Sequence, residues 1–309
     1  MDNVSLVESY SSELNETSTS PALPIGRLRH LFILILNILL SITASLGNAL
    51  ILLALYKETS LHPPTKLLFR CLAVTDLCVG LLTQPLYVIA VMPQGRKMNW
   101  VVLNYFNTAN YISSYTLCGM SGLTSTARSV DRLLALSLGL RYKQVVTLWR
   151  VRVVLISFWS ICVPSGLILI WSENTTLIVV FVFNVLCLVT SIFSYTKIFI
   201  KLREHQAQVR NHVHQRQTNG EGITLNIERY KKIVSSISWV QLTLIICYVP
   251  YGIASLLWIN GIDTDYPWLS TATLVYLNSS LNPILYCWKM REVRQAVKNT
   301  IRQFCCRAN

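Results

Sequence analysis

The sequence predicts an all-α membrane protein, a seven-transmembrane helix bundle with a C-terminal amphipathic surface helix. Three observations carry that expectation. Of the 309 residues, 52% are hydrophobic and only 13% charged, against about 25% charged in a soluble domain, so too few polar groups remain to cover a water-facing surface. Six charge-free runs (residues 31–56, 98–127, 153–172, 174–196, 233–262 and 266–288) and a seventh, 71–95, broken by Asp76, each reach the roughly 20 apolar residues a spanning helix needs. The basic residues are also lopsided. With the N-terminus outside, 22 of the 27 Lys and Arg fall on the inner side, four (Arg27, Arg29, Arg96, Lys97) on the outer side, and Arg128 inside a span. That excess is the positive-inside signal. The net charge of +13 is then topology, and no nucleic-acid partner is expected.

The first 26 residues are polar and acidic, with Asp2, Glu8, Glu13 and Glu16. They lack an apolar core with a basic flank and a cleavage site, so no signal peptide is expected and span one directs insertion. Sequons at Asn3, Asn15 and Asn174 all fall on the outer side in this topology, which predicts glycosylation at each. The chain divides into an outer tail over 1–29, a seven-span domain over 30–288, and an inner helix and tail over 289–309, in the plasma membrane.

Connections are short except 201–228, a polar stretch with Gly220 and Gly222 expected to form a solvated inner loop. Its His205, His212 and His214 read as solvated side chains, not metal ligands. The outer connection after span four is 171–176. No internal repeat is visible. Seven cysteines lie within spans and Cys305 and Cys306 in the inner tail, so no structural disulfide is expected despite an oxidising exterior. Residues 289–304 place Met290, Val293, Val297, Ile301 and Phe304 on one helix face, and Lys289, Arg291, Arg294, Lys298 and Arg302 on the other. Such a helix is expected to lie on the membrane surface, held by anionic lipid. Cys305 and Cys306 at its end are palmitoylation candidates.

An acid inside a membrane is costly, about 3 kcal/mol on insertion scales. At a rise of about 1.5 Å per residue, Asp76 lies at mid-membrane, and Asn48, Ser121, Asn278, Ser279 and Asn282 lie at similar depth on spans one, three and seven. A lone carboxylate amid neutral oxygens suits a sodium ion, or a protonated acid with hydrogen bonds. A polar network that ties helices together is the structural alternative. No cofactor or metal beyond that sodium is expected. With no second acid, Ser–His couple or metal-ligand set at that depth, the chain is not expected to be an enzyme.

In order along the chain stand Gly47-Asn48, Leu72-Ala73-Val74-Thr75-Asp76, Asp131-Arg132 followed by Leu140-Arg141-Tyr142, Trp159, Tyr195, Cys247-Tyr248-Val249-Pro250 and Asn282-Pro283-Ile284-Leu285-Tyr286. Together, on these spans, they resemble the rhodopsin-like (class A) G-protein-coupled receptors from about residue 31 to 306. The resemblance implies a receptor that transmits extracellular ligand binding to a heterotrimeric G protein. Arg132 would be the switch cation, held by Asp131 when inactive. Tyr195 and Tyr286 would swing toward it, with Pro250 bending span six and Pro283 lying beside Asn282 in the motif of span seven. A proline inside a helix frees a carbonyl and makes such a bend.

The departures narrow the resemblance. Asn107 stands where relatives carry the span-three cysteine of an outer disulfide. Cys187 replaces the span-five proline, Tyr248 the span-six tryptophan, and Leu133 the third residue of the Asp-Arg-Tyr motif. No disulfide, no span-five proline and a very short second outer loop resemble the melanocortin receptors and some lipid receptors. The melanocortin acids of spans two and three are absent, Asn107 and Tyr111 standing in that region, so that ligand is not carried over. Arg128 replaces an aliphatic residue one turn from Arg132. It is expected to snorkel inward toward Asp131, either weakening the packed lock between spans three and six and shifting basal signalling, or sitting there without effect.

Ser114 occupies the level at which amine receptors hold an acid, so an amine ligand is not expected. No lysine occurs in 266–288, which excludes a retinal Schiff base. The expected pocket lining is Ser114, Tyr115 and Cys118 on span three, Tyr248, Tyr251 and Ser255 on span six, and Tyr276 on span seven. That lining suits a neutral small molecule, a lipid or a short peptide. The alternative function, an ion or solute transporter with Asp76 as its ion site, predicts repeated halves.

Overall fold

The computed structural model describes residues 23–57, 61–92, 99–215, 242–262, 265–289 and 291–308. Among them every regular element is helical. Span one is one helix, Leu23–Lys57. Span two starts at Pro63–Cys78, with prolines in its first turn where an N–H has no helical partner anyway. It then widens into a π turn, Val79–Thr83, and closes as Gln84–Val91. In the π turn the Gln84 N–H reaches back to the Val79 carbonyl. The next donor in that register would be residue 85, a proline with no N–H. The stranded Gly80 carbonyl is taken by Ser41 Oγ of span one at 2.7 Å.

Span three is the long central helix Trp100–Leu138, N-capped by the Asn99 side chain on Val101 N and ended by Gly139 at φ 50°. A 3-10 turn, Gly139–Arg141, and a one-turn helix, Tyr142–Val145, lead to span four, Leu148–Leu167, which Thr147 caps. After a 3-10 turn, Ile168–Ile170, Trp171 and Ser172 alone separate span four from span five, Glu173–Gln215. Span five contains neither Pro nor Gly and runs on through residues expected to be loop. The stretch from Lys201 to Gln215 is helical because Lys, Leu, Arg, Glu, Gln and Ala favour helix and nothing before Gly220 breaks it. Residues 216–228 lie outside the described set.

Span six is Leu242–Ile259. It stops where Gly261 takes φ 73° and the N–H groups of Gly261 and Ile262 turn back to Trp258 and Leu257. Span seven is Asp265–Lys289 with Pro283 inside it, and the chain closes with the helix Arg291–Ala308. Among the described residues, five spans are long and apolar enough to cross a membrane by composition. Spans three and seven are long enough but less apolar than expected, because they carry the buried interior polar residues Ser121, Thr124, Ser125, Asn278, Ser279 and Asn282.

Span three packs on spans two, four and five, and span one packs on spans two and seven and on the last helix. That last contact adds to the expected surface helix. Val293, Ala296 and Val297 bury their apolar face against Ile51, Ala54, Leu55 and Phe69 of the bundle, while Ile301 is 45% exposed and Arg294, Lys298 and Arg302 point outward. The turn from span seven brings the apolar stripe onto protein, so less of it faces lipid. The side chains of Met290, Phe304, Cys305 and Cys306 lie outside the described residues.

Candidate functional site

Asp76 is fully buried and accepts three hydrogen bonds. Ser121 Oγ and Ser279 Oγ donate to Oδ1, each at 2.8 Å, and Asn282 Nδ2 donates to Oδ2 at 2.7 Å. Spans two, three and seven thus meet on one carboxylate. Asn48 stands one step away. Pro283 cannot donate to the carbonyl four residues before it, that of Ser279, and Asn48 Nδ2 takes that carbonyl at 3.1 Å as well as Ala44 O at 2.8 Å. Each of these prolines therefore strands a carbonyl that span one answers, Ser41 at Gly80 and Asn48 at Ser279. Asn278, expected in the same layer, is buried but not joined to it, and its Nδ2 has no partner among the described residues. In this arrangement serine and asparagine hydrogens fill three of the roughly four acceptor positions of the carboxylate, so a sodium ion would bind there only by turning them away.

Arg128 does not reach Asp131. Its guanidinium lies between two rings, with Cζ 4.4 Å from the Phe69 centroid and 4.4 Å from that of Tyr286, and Nη1 donates to Tyr286 Oη. The rings meet edge to face at 5.1 Å. A desolvated cation–π contact contributes about 2 kcal/mol, so the rings offer a better berth than a stretch toward water.

Asp131 is not held by Arg132. Tyr142 Oη donates to its Oδ1 at 2.6 Å and Thr65 Oγ1 to its Oδ2 at 3.0 Å, and the two hydroxyls lie 3.0 Å apart. Burial first, and then the bond to Asp131, push the Tyr142 phenol up to about 12, so it stays a donor at neutral pH. Arg132 is exposed and makes no ion pair among the described residues. The reason is reach: adjacent side chains on a helix point about 100° apart, and Asp131 turns to span two while Arg132 turns to the open end. Tyr195 Oη accepts from Ser129 Oγ at 3.1 Å, and neither Tyr195 nor Tyr286 touches Arg132 in this arrangement.

In the opposite half, Tyr115, Cys118, Tyr248, Tyr251 and Tyr276 share one buried cluster. The expected lining residues close on one another. Ser114 Oγ lies 2.8 Å from Tyr276 Oη, Tyr251 Oη donates to Tyr115 Oη at 3.4 Å, Tyr248 Oη to Cys118 O at 3.3 Å, and Ser255 Oγ to Tyr251 O at 2.9 Å. Tyr87 packs edge-on against Tyr276, and Trp268 packs tilted against Tyr251. The seven residues thus come together as a packed plug of paired hydroxyls.

Comparison with known proteins now decides the family. The description "7 transmembrane receptor (rhodopsin family)" matches residues 47–175 and 167–286. The chain belongs to that family. It is 25% identical over 281 residues to melanocortin receptor 4 of Danio rerio, covering 86% of this chain and 82% of that protein. It is 29% identical over 304 residues to the histamine H2 receptor of Cavia porcellus, covering 88% and 79%. It is 25% identical over 280 residues to growth hormone secretagogue receptor type 1 of Rattus norvegicus, covering 81% and 75%. This protein is a G-protein-coupled receptor, a multi-pass membrane protein, and the transporter reading finds no support.

In this receptor the described cysteines carry free thiols. Asn174 is exposed at the start of span five, while Asn3 and Asn15 lie outside the described residues. Sequence reasoning missed Thr65, Phe69 and Tyr142. Tyr142 stood in a quoted motif, but nothing in its spacing pointed to Asp131 eleven residues away. Thr65 and Phe69 read as ordinary residues of an apolar span.

Proposed function

We propose that this receptor sits in the plasma membrane with its N-terminus outside and carries an external chemical signal to a heterotrimeric G protein. The ligand is a neutral small molecule, a lipid or a short peptide that enters the tyrosine plug. The plug has hydroxyls and aromatic faces and no charge, so a ligand binds there by replacing a hydroxyl partner, breaking Ser114–Tyr276 or Tyr251–Tyr115. Those pairs join span three to spans six and seven, so breaking one frees span six to bend at Pro250 and span seven at Pro283. The exposed Arg132, beside an Asp131 engaged elsewhere, meets the G protein at the basic end. Asn3, Asn15 and Asn174 carry glycans, and Cys305 and Cys306 carry palmitate.

One observation carries this reading: Asp131 is satisfied by Tyr142 and Thr65 while Arg132 is left facing out. A ligand screen read out by G-protein activation tests it. Arg132→Ala should abolish the agonist response while surface expression stays at the wild-type level. A full response in that variant would refute the assignment.

A further inference from the structure

The clamp around Arg128 and the donors around Asp76 are built on the same three spans at matched register. Phe69 lies seven residues before Asp76 on span two, Arg128 seven after Ser121 on span three, and Tyr286 four after Asn282 on span seven. Ser121 and Asn282 hold the carboxylate; Phe69 and Tyr286 hold the guanidinium. At about 1.5 Å per residue the cationic layer lies roughly 6–10 Å below the anionic one, toward the basic end. No carboxylate touches Arg128 among the described residues, and its Nε–H is buried without a partner. Asp131, the other acid nearby in sequence, is committed to Tyr142 and Thr65. Asp76, fully buried on the same three spans, is the anion that faces Arg128 through the bundle interior, where the attraction is screened less than in water.

We propose that Arg128 is the resident counter-cation of Asp76, so that this receptor supplies from its own chain the positive charge a sodium ion would bring. A sodium ion at Asp76 would have to turn two serine hydrogens and an asparagine amide away from the carboxylate, and would then stand one layer above a fixed positive charge. The same guanidinium pins Tyr286, so the charge balance of the polar layer and the position of the span-seven tyrosine depend on one side chain. This inference goes beyond the ligand and coupling assignments and depends on neither.

The test uses the purified full-length receptor and the ion alone. Melting temperatures are compared in NaCl and in KCl at about 150 mM, where ionic screening is equal. The wild type should melt at the same temperature in both, within about 1 °C. Arg128→Met removes the charge and keeps the apolar stem. It should melt at least about 2 °C higher in sodium than in potassium, and adding Asp76→Asn should erase that difference. A sodium-specific rise of that size in the wild type, lost in Asp76→Asn, overturns the proposal. So does an Arg128→Met protein that folds and shows no sodium preference. Should Arg128→Met not fold, the wild-type comparison with Asp76→Asn decides on its own.

Discussion

Tyr142 Oη, in the short helix after span three, donates to Asp131 Oδ1 at 2.6 Å, and Thr65 of span two closes the triangle at 3.0 Å. The acid of the Asp-Arg pair is thus tied sideways to a loop and a neighbouring helix. A hydrogen bond to a charged group contributes about 1.5–3 kcal/mol. Tyr142→Phe should lower the melting temperature by about 3 °C or more and lower ligand-independent G-protein activation, as Asp131 becomes free to pair with Arg132 and draw it away from the partner. Unchanged melting and unchanged basal signalling would show that the triangle carries no weight. The pH dependence has a definite sign. A phenol whose folded value is raised contributes stability that is full below its ordinary value of about 10 and lost as pH rises through about 12. The gap between wild type and Tyr142→Phe should therefore stay constant from about pH 6 to 8.

Ser121 of span three and Ser279 of span seven both donate to one oxygen of Asp76. Ser279→Ala should cost about 1.5–3 kcal/mol, and Ser121→Ala a similar amount. The double variant should cost less than the sum, because the remaining Asn282 and any water re-solvate the carboxylate once one serine is gone. Thermal melting of all four proteins measures that coupling, and strict additivity would count against a shared network.

Gly80 faces span one with no room for a side chain: a Cβ there would lie 2.7 Å from Ser45 Oγ and 2.9 Å from Ser45 N. Gly139 has nothing within 4 Å and needs only its positive φ. Gly80→Ala must push two helices apart, so it should cost about 1–3 kcal/mol and reduce surface expression sharply. Gly139→Asn should instead cost about 1–3 kcal/mol through backbone strain alone, since φ 50° with ψ −115° lies outside the left-handed helical region that Asn tolerates. Wild-type surface expression of Gly80→Ala would contradict the close approach of spans one and two.

Leu140, in the turn after Gly139, is 98% exposed at the basic end. Burying a leucine side chain is worth about 1.5–3 kcal/mol, and a G protein that binds beside Arg132 can cover it. Leu140→Ala should weaken agonist-stimulated G-protein activation roughly tenfold without changing the melting temperature. A variant with full coupling would place the partner elsewhere.

Much of the architecture was legible because it depends on one residue type at a time. Charge-free runs of sufficient length specify spans, and Asp76 declares itself by the cost of burying it. The second outer connection was readable as short from 171–176. The extension of span five through Gln215 was missed because polarity was taken for loop, although the residues there favour helix. The partners of charged groups were less legible. Arg128 and Asp131 were expected to meet because they are three residues apart, a spacing that permits contact but does not require it. Phe69, Tyr286, Thr65 and Tyr142 offered better partners, and all lie on other elements. The pocket residues were correctly placed near one another, yet their mutual pairing could not be read from a linear pattern.

By itself the sequence determined how many times the chain crosses the bilayer, which residues must face inward, and where proline leaves a carbonyl unanswered, since each of these follows from local chemistry and helical period. Tertiary structure alone decided who answers: Asn48 for the Ser279 carbonyl, two aromatic rings for Arg128, a tyrosine eleven residues on for Asp131. The reason is physical. A polar group in a low-dielectric interior must find a partner, but which partner it finds depends on how helices far apart in sequence rotate and approach, and no single helix specifies that.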